Sequence, residues 1–173
     1  MKSLETLLSI YKSSHLNKKN IVTHFVGIPL ILWSAALFFS TFSLNLAGFQ
    51  TNAMQVIAVL IFAYYLVLDL KLGVIAIALI APIWYHANGY GMSDNAYLMA
   101  GIVFFIGWVF QFIGHHYEKA KPAFFDDIKQ LLIGPLFLVA EICFYFKLFA
   151  GLEKQVTDEA LELRKAMVQA GKA

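Results

Sequence analysis

Cysteine is nearly absent from this 173-residue chain, and the single Cys143 excludes an internal disulfide and any disulfide-stapled secreted scaffold. Its neighbours Ile142 and Phe144 make it a packed thiol rather than a reactive one. Charge is scarce too. Only 14% of residues are charged and the formal net charge is +2. The pI near 8.6 comes without the basic stripe, and the pI above ~9, of a nucleic-acid-binding domain. No nucleic-acid partner is expected. There is also no internal repeat, no low-complexity tract and no cleavable signal peptide: the first apolar run begins only at Ile21, behind Lys12, Lys18 and Lys19. The N-terminus is therefore expected to be retained, and residues 1–173 to form a single integral-membrane domain.

What is present is apolar. Hydrophobic residues make up 60% of the chain and aromatics 16%, with a mean hydropathy of +0.70, against roughly 45–50% apolar residues in a soluble domain. The charges gather at the two ends, at Asp69 to Lys71 and between Glu118 and Lys129, which leaves long uncharged runs between them. The pattern predicts an all-α fold: a polytopic transmembrane helical bundle of four to five apolar segments within 21–146. Amphipathic helices are expected at the N-terminus (1–20) and in the C-terminal tail (147–173).

Within 3–16, Leu4, Leu7, Leu8, Tyr11 and His15 recur at spacings of three and four, so a helix there carries one apolar stripe with His15 on it. An interfacial anchor helix would show the same spacing. Ile21 to Ser40 is the clearest span, long enough to cross ~30 Å at 1.5 Å per residue, with His24 in its first turn and a bend expected near Pro29. The stretch 41–52 reads as a short polar excursion and 53–68 as a second span. A third segment, Val74 to Tyr85, is short and is entered through a turn at Gly73. A fourth runs from Ala96 to Gly114 and ends in His115 and His116. The charged stretch 117–130 reads as a surface segment. Leu131 to Phe146 is interrupted by Gly134-Pro135 and reads as re-entrant or a shallow hairpin. Leu152, Val156, Ala160, Leu163 and Met167 form one face of a last helix.

Lysines 2, 12, 18 and 19 precede the first span, and no Lys or Arg lies between Ile21 and Leu70, so the positive-inside rule puts the N-terminus in the cytoplasm. The host membrane is then a bacterial inner membrane or the endoplasmic reticulum. Four crossings bring His115 back to the same side, so His15, His24, His115, His116 and Glu118 gather at one face and His86 falls at the other.

Imidazoles with a carboxylate suit a non-haem ferrous centre, and His115 and Glu118, three apart, share a helix face while His116 points about 100° away. Asn20 stands one turn before His24 and Gln111 one turn before His115, each placing an amide beside a candidate ligand. Glu141 amid Ala140 and Ile142 is costly to bury charged; it marks a ligand, a proton relay or an ion pair to a lysine such as Lys147. The same residues leave a small proton- or metal-coupled transporter open as a non-enzymatic reading. Five histidines without a His-x3-His or His-x2-His-His box argue against a di-iron desaturase or hydroxylase.

Three stretches resemble the membrane-embedded 2-hydroxy fatty acid dioxygenases, whose fungal member acts in the endoplasmic reticulum on phytosphingosine breakdown. They are Tyr11-Lys-Ser-Ser-His15 through Asn20 and His24 to Gly27-Ile-Pro29; Gly107-Trp-Val-Phe-Gln111-Phe-Ile-Gly114-His115 with Glu118-Lys119 and Pro122-Ala123-Phe124; and Gly134-Pro135 with Glu141. The resemblance implies an enzyme that uses Fe2+ and O2 to shorten a long-chain 2-hydroxy fatty acid by one carbon, released as CO2. It implies His15, His24 and His115 as essential, with Glu118 close behind as a catalytic residue; the candidate metal ligands are these four together with His116 from the run His115 to Glu118. Tyr11, Asn20, Gln111, Lys119 and Glu141 become candidates for supporting the ligands or the substrate. Lys19, Lys119 and Lys121 are the cations available to the substrate carboxylate. Membrane lipid surrounds such a site, and a homo-oligomer is compatible with this composition.

Overall fold

The structure, a computed structural model, describes residues 2–119, 127 and 129–171. Among them the elements are α1 (Leu4–Ser13), α2 (Lys18–Ser40), β1 (Ser43–Leu46), β2 (Phe49–Asn52), α3 (Ala53–Leu68), α4 (Leu70–Asn88), α5 (Ala96–Glu118), α6 (Gln130–Tyr145) and α7 (Ala150–Gln169). The expected helical class holds. Helices α2, α4 and α5 are long and apolar enough to cross a membrane, whereas α3 and α6 are shorter apolar helices. At 16 residues each, these two reach only about 24 Å at 1.5 Å per residue. Of the charged surface stretch, residues 120–126 and 128 lie outside the described residues, and with them Lys121 and Pro122-Ala123-Phe124.

The chain forms two compact units, residues 1–25 with 111–173, and residues 26–110. In the first, α1 is capped by Ser3, whose hydroxyl accepts from Thr6 N–H. Its stripe of Leu4, Leu7, Leu8 and Tyr11 is buried, and the helix packs on α7 and α6. The apolar face thus meets protein, which corrects the interfacial-anchor alternative. The helix also stops earlier than the spacing suggests. Ser13 turns its hydroxyl onto the Ile10 carbonyl at 2.7 Å, and Ser14 forms the C-cap, the competition with the helical ladder that serine offers. His15 therefore sits just past the cap, off the stripe, its N–H donating to the Lys12 carbonyl at 2.8 Å.

Helix α6 is the core of this unit, with Ile133, Leu136, Phe137, Leu138, Val139, Ala140, Cys143 and Phe144 all buried. Apolar nearly all round, it is a helix for an interior. Gly134-Pro135 does not break it, so the hairpin reading is corrected: Pro135 lies near the start of a continuous helix, where its missing N–H forgoes a single bond, to the Leu131 carbonyl. On α7, Val156 and Ala160 of the expected face are buried.

In the second unit, 41–52 is more regular than expected. β1 and β2 pair antiparallel, Ser43 opposite Asn52 and Leu46 opposite Phe49, around a turn in which Ala47 and Gly48 have φ of 50° and 93°. Positive φ at both turn residues matches the twist of a tight hairpin. Asn52 then opens α3 through a capping box with Gln55. Asp69 closes α3 and opens α4, its Oδ1 accepting from Leu72 N–H at 2.7 Å. The third apolar segment consequently begins at Leu70, four residues before the expected Val74, and is full length. Gly73 is no turn residue: a Cβ there would lie 2.8 Å from the Tyr65 carbonyl oxygen, so the missing side chain lets α4 leave close against the end of α3. His86 lies in this unit, where Trp33 Nε1 donates to its Nδ1 at 2.9 Å.

Candidate metal centre

Three ligand-bearing segments meet in the first unit: the turn after α1, the first turns of α2, and the last turn of α5. They bring His15, His24 and His115 together, with one ligand atom of each within 4.8 Å of the others. The side chains are 1%, 0% and 8% exposed. The rings pack edge to face, with centroids 4.6 Å apart for His15 and His24, 4.8 Å for His15 and His115, and 5.0 Å for His24 and His115.

Tautomers follow from the partners. His15 Nδ1 lies 2.6 Å from the Tyr11 carbonyl and His24 Nδ1 2.9 Å from the Asn20 carbonyl. A carbonyl only accepts, so both Nδ1 atoms carry the proton and both Nε2 atoms present lone pairs. Those two Nε2 atoms face each other at 3.1 Å, a contact that repels until a cation lies between them. Two nitrogens each about 2.1 Å from one ion and at right angles to each other would be about 3.0 Å apart. The donor set therefore fits a transition metal, with backbone carbonyls fixing two of the rings as is usual beyond the ligands themselves. Burial, followed by the neighbouring His24 and His115, holds His15 well below the usual imidazole value. It is thus neutral, the ligating form. Tyr11 supports it by stacking at 4.0 Å and 3° between planes, and burial raises the Tyr11 phenol above its ordinary range.

Glu118 is buried beside the trio but makes a different set of contacts. Its Oε1 accepts from Leu16 N–H at 3.1 Å, and its Oε2 from Asn17 N–H at 2.8 Å and from Asn20 Nδ2 at 3.1 Å. It clamps the turn between His15 and His24, and it reaches the residue whose carbonyl orients His24. His116 is exposed and outside the trio, its ring against Tyr117, because adjacent helical residues diverge by about 100°. Asn20 and Gln111 are buried. Asn20 Oδ1 and Gln111 Nε2 have no hydrogen-bond partner among the described residues, capacity that a bound group would satisfy. Lys119 is exposed and left-handed at φ 56°, closing α5 by donating its N–H to the His115 carbonyl at 3.0 Å. Lys19 is exposed, its Nζ over the Tyr117 ring.

Glu141 does not pair with Lys147. It accepts from Lys12 Nζ at 2.6 Å, the two side chains only 17% and 12% exposed, tying the end of α1 to α6. Gly114 is a sterically demanded position: a Cβ there would press on Thr23 Oγ1 and Asn20 Oδ1 and lie 3.1 Å from His24 Nδ1. Asn20 is held by its bonds to Ser14 and Glu118, and Thr23 by its bond to the Asn20 carbonyl. Neither can swing away cheaply. Gly114→Ala is expected to destabilise the protein by about 1–3 kcal/mol through overpacking. The same change should weaken metal binding about tenfold, read by thermal unfolding and by Fe(II) titration.

One residue of this site escaped sequence reasoning. Arg164 of α7 donates from Nη2 to the Glu118 carbonyl at 3.1 Å and lies 3.9 Å from Glu118 Oε1. The available signal was that the chain has a single arginine among thirteen basic residues.

Comparison with known proteins identifies a family. The family described as 2-hydroxy-palmitic acid dioxygenase Mpo1-like matches residues 1–146, which include all three histidines. The 2-hydroxy-palmitic acid dioxygenase MPO1 of Saccharomyces cerevisiae is 31% identical over 166 residues, 94% of this chain and 91% of that protein. No solved structure matches. Matched across nearly its whole length, through all three segments that carry the histidines, the chain belongs to the Mpo1-like family.

Proposed function

We propose that this protein is a membrane-embedded, iron-dependent 2-hydroxy fatty acid dioxygenase. The observation that carries the reading is the buried His15, His24 and His115 cluster, with the Nε2 atoms of His15 and His24 3.1 Å apart, in a chain of this family. The three histidines would hold Fe2+, and ferrous iron so held would supply the site at which O2 and the 2-hydroxy carboxylate react. The balance closes without a further reductant. The acid R-CHOH-COOH and O2 give R-COOH, CO2 and H2O: the C1–C2 bond breaks, C2 becomes the new carboxyl carbon, and O2 takes up all four electrons.

The residues of this chain supply binding and orientation. Tyr11 and Asn20 carbonyls fix the His15 and His24 rings, and Glu118 fixes the turn that separates them. The free amide donor of Gln111, one turn before His115, is suited to a substrate oxygen. Apolar helices of membrane-crossing length let the acyl tail remain in lipid while the polar head meets the histidines, with the N-terminus on the cytoplasmic side.

The test is direct. Detergent-purified protein loaded with Fe(II) is incubated with a long-chain 2-hydroxy fatty acid under O2, and the products are resolved by mass spectrometry. The expected product is the acid one carbon shorter, with the lost carbon recovered as CO2 from substrate labelled at C1. Unchanged substrate at full iron loading would sink the proposal.

A further inference from the structure

Glu118 closes α5, and its main-chain carbonyl is one of the last four of a helix, which have no partner within it. Arg164 Nη2 supplies that partner at 3.1 Å, and the same nitrogen is the salt-bridge partner of the carboxylate at 3.9 Å. The Glu118 side chain is 3% exposed and that of Arg164 18%. A carboxylate so buried is costly without a cationic partner, and this one also accepts from Leu16 N–H, Asn17 N–H and Asn20 Nδ2. Arg164 Nη1, also buried, has no hydrogen-bond partner among the described residues, so the guanidinium's contact there is the one from Nη2 to Glu118. Twelve of the thirteen basic residues are lysines. The one arginine stands where a single nitrogen, Nη2, donates to a carbonyl and lies beside the carboxylate of the same residue.

We infer that Arg164, on the C-terminal helix beyond the family match at 146, is a positioning residue of the metal centre, acting through Glu118. The inference rests on the metal-centre reading above. Arg164 keeps Glu118 seated; Glu118 holds the turn; the turn sets His15 against His24. With Arg164 neutralised, Glu118 loses the partner that seats it and swings towards water. Fewer acceptor positions then face Leu16 N–H, Asn17 N–H and Asn20 Nδ2.

The experiment measures Fe(II) affinity of the full detergent-purified chain, under anaerobic conditions, by competition with a chromophoric chelator. Arg164→Gln is expected to weaken binding about tenfold, the low end for a group that acts behind the ligands. Glu118→Gln should weaken it at least as much, and the double variant no more than the stronger single one, because both act through one contact. Val156→Ala loosens the packing of α7 without touching Arg164 and is expected to lower the unfolding temperature while leaving Fe(II) affinity at the wild-type value. Wild-type affinity in Arg164→Gln, simple addition of the two losses, or an equal loss in Val156→Ala would each overturn the role of Arg164. Failure of the wild-type chain itself to bind Fe(II) would instead overturn the metal centre, and this inference with it.

Discussion

Alanine at His24 is expected to lower Fe(II) affinity by more than about 100-fold, because groups merely supporting a ligand already cost 10–100-fold. Formation of the shortened acid should fall below detection. The reasoning is geometric. His24 Nε2 is one half of the opposed pair at 3.1 Å, and its Nδ1 is spent on the Asn20 carbonyl. Removing the ring leaves two histidines, too few to hold a buried ion against water. The contacts that join the three segments, Glu118 with Leu16, Asn17 and Asn20, remain, so the variant should still fold and elute as the wild type does. His116→Ala provides the contrast. The exposed His116 lies outside the trio, so its loss should leave affinity within about twofold, well under the supporting-group range. Equal damage from the two substitutions, measured by chelator competition and product analysis, would remove the basis for choosing His15, His24 and His115.

The difference between these two histidines shows what a sequence can disclose. That His115 and Glu118 share a face while His116 diverges follows from 3.6 residues per turn, and so was legible. The uncharged run after Ile21 and the apolar stripes of α1 and α7 were legible for the same reason: local periodicity records local structure. Chain breaks were harder. Gly134-Pro135 carries a strong breaking signal, yet α6 continues through it, since the proline forgoes one bond, to the Leu131 carbonyl, and the burial of the helix's apolar side chains outweighs that loss. Gly73 carries the same kind of signal but answers the close approach of Tyr65 instead. Long-range pairing was not legible at all. Lys12 meets Glu141 across 129 positions and Arg164 meets Glu118 across 46, and neither pairing leaves a periodic trace. Both involve residues whose local surroundings suggested other partners or none: Lys147 was nearer to Glu141 in sequence, and Arg164 sat in a tail that reads as a solvated amphipathic helix.

Glu118→Ala should produce the second large effect, and its character should differ from that of His24→Ala. The substitution strips acceptors from Leu16 N–H, Asn17 N–H and Asn20 Nδ2 and leaves Arg164 without its carboxylate. Breaking a buried pair by removing one partner costs about 3–5 kcal/mol. Arg164 retains some solvent contact and the Glu118 carbonyl, so a loss of about 3 kcal/mol is expected, read as a lowered unfolding temperature without metal. Metal affinity should fall about 10–100-fold, as for other groups that orient ligands. All three histidines remain, however, so the site is displaced rather than dismantled. Saturating Fe(II) should therefore restore much of the turnover in Glu118→Ala and none in His24→Ala. If Glu118 instead contributed an oxygen directly to the ion, excess iron would fail to rescue either variant. Rescue by metal concentration thus separates a carboxylate that binds the ion from one that holds the turn carrying its ligands, and the three donors on Glu118 favour the second.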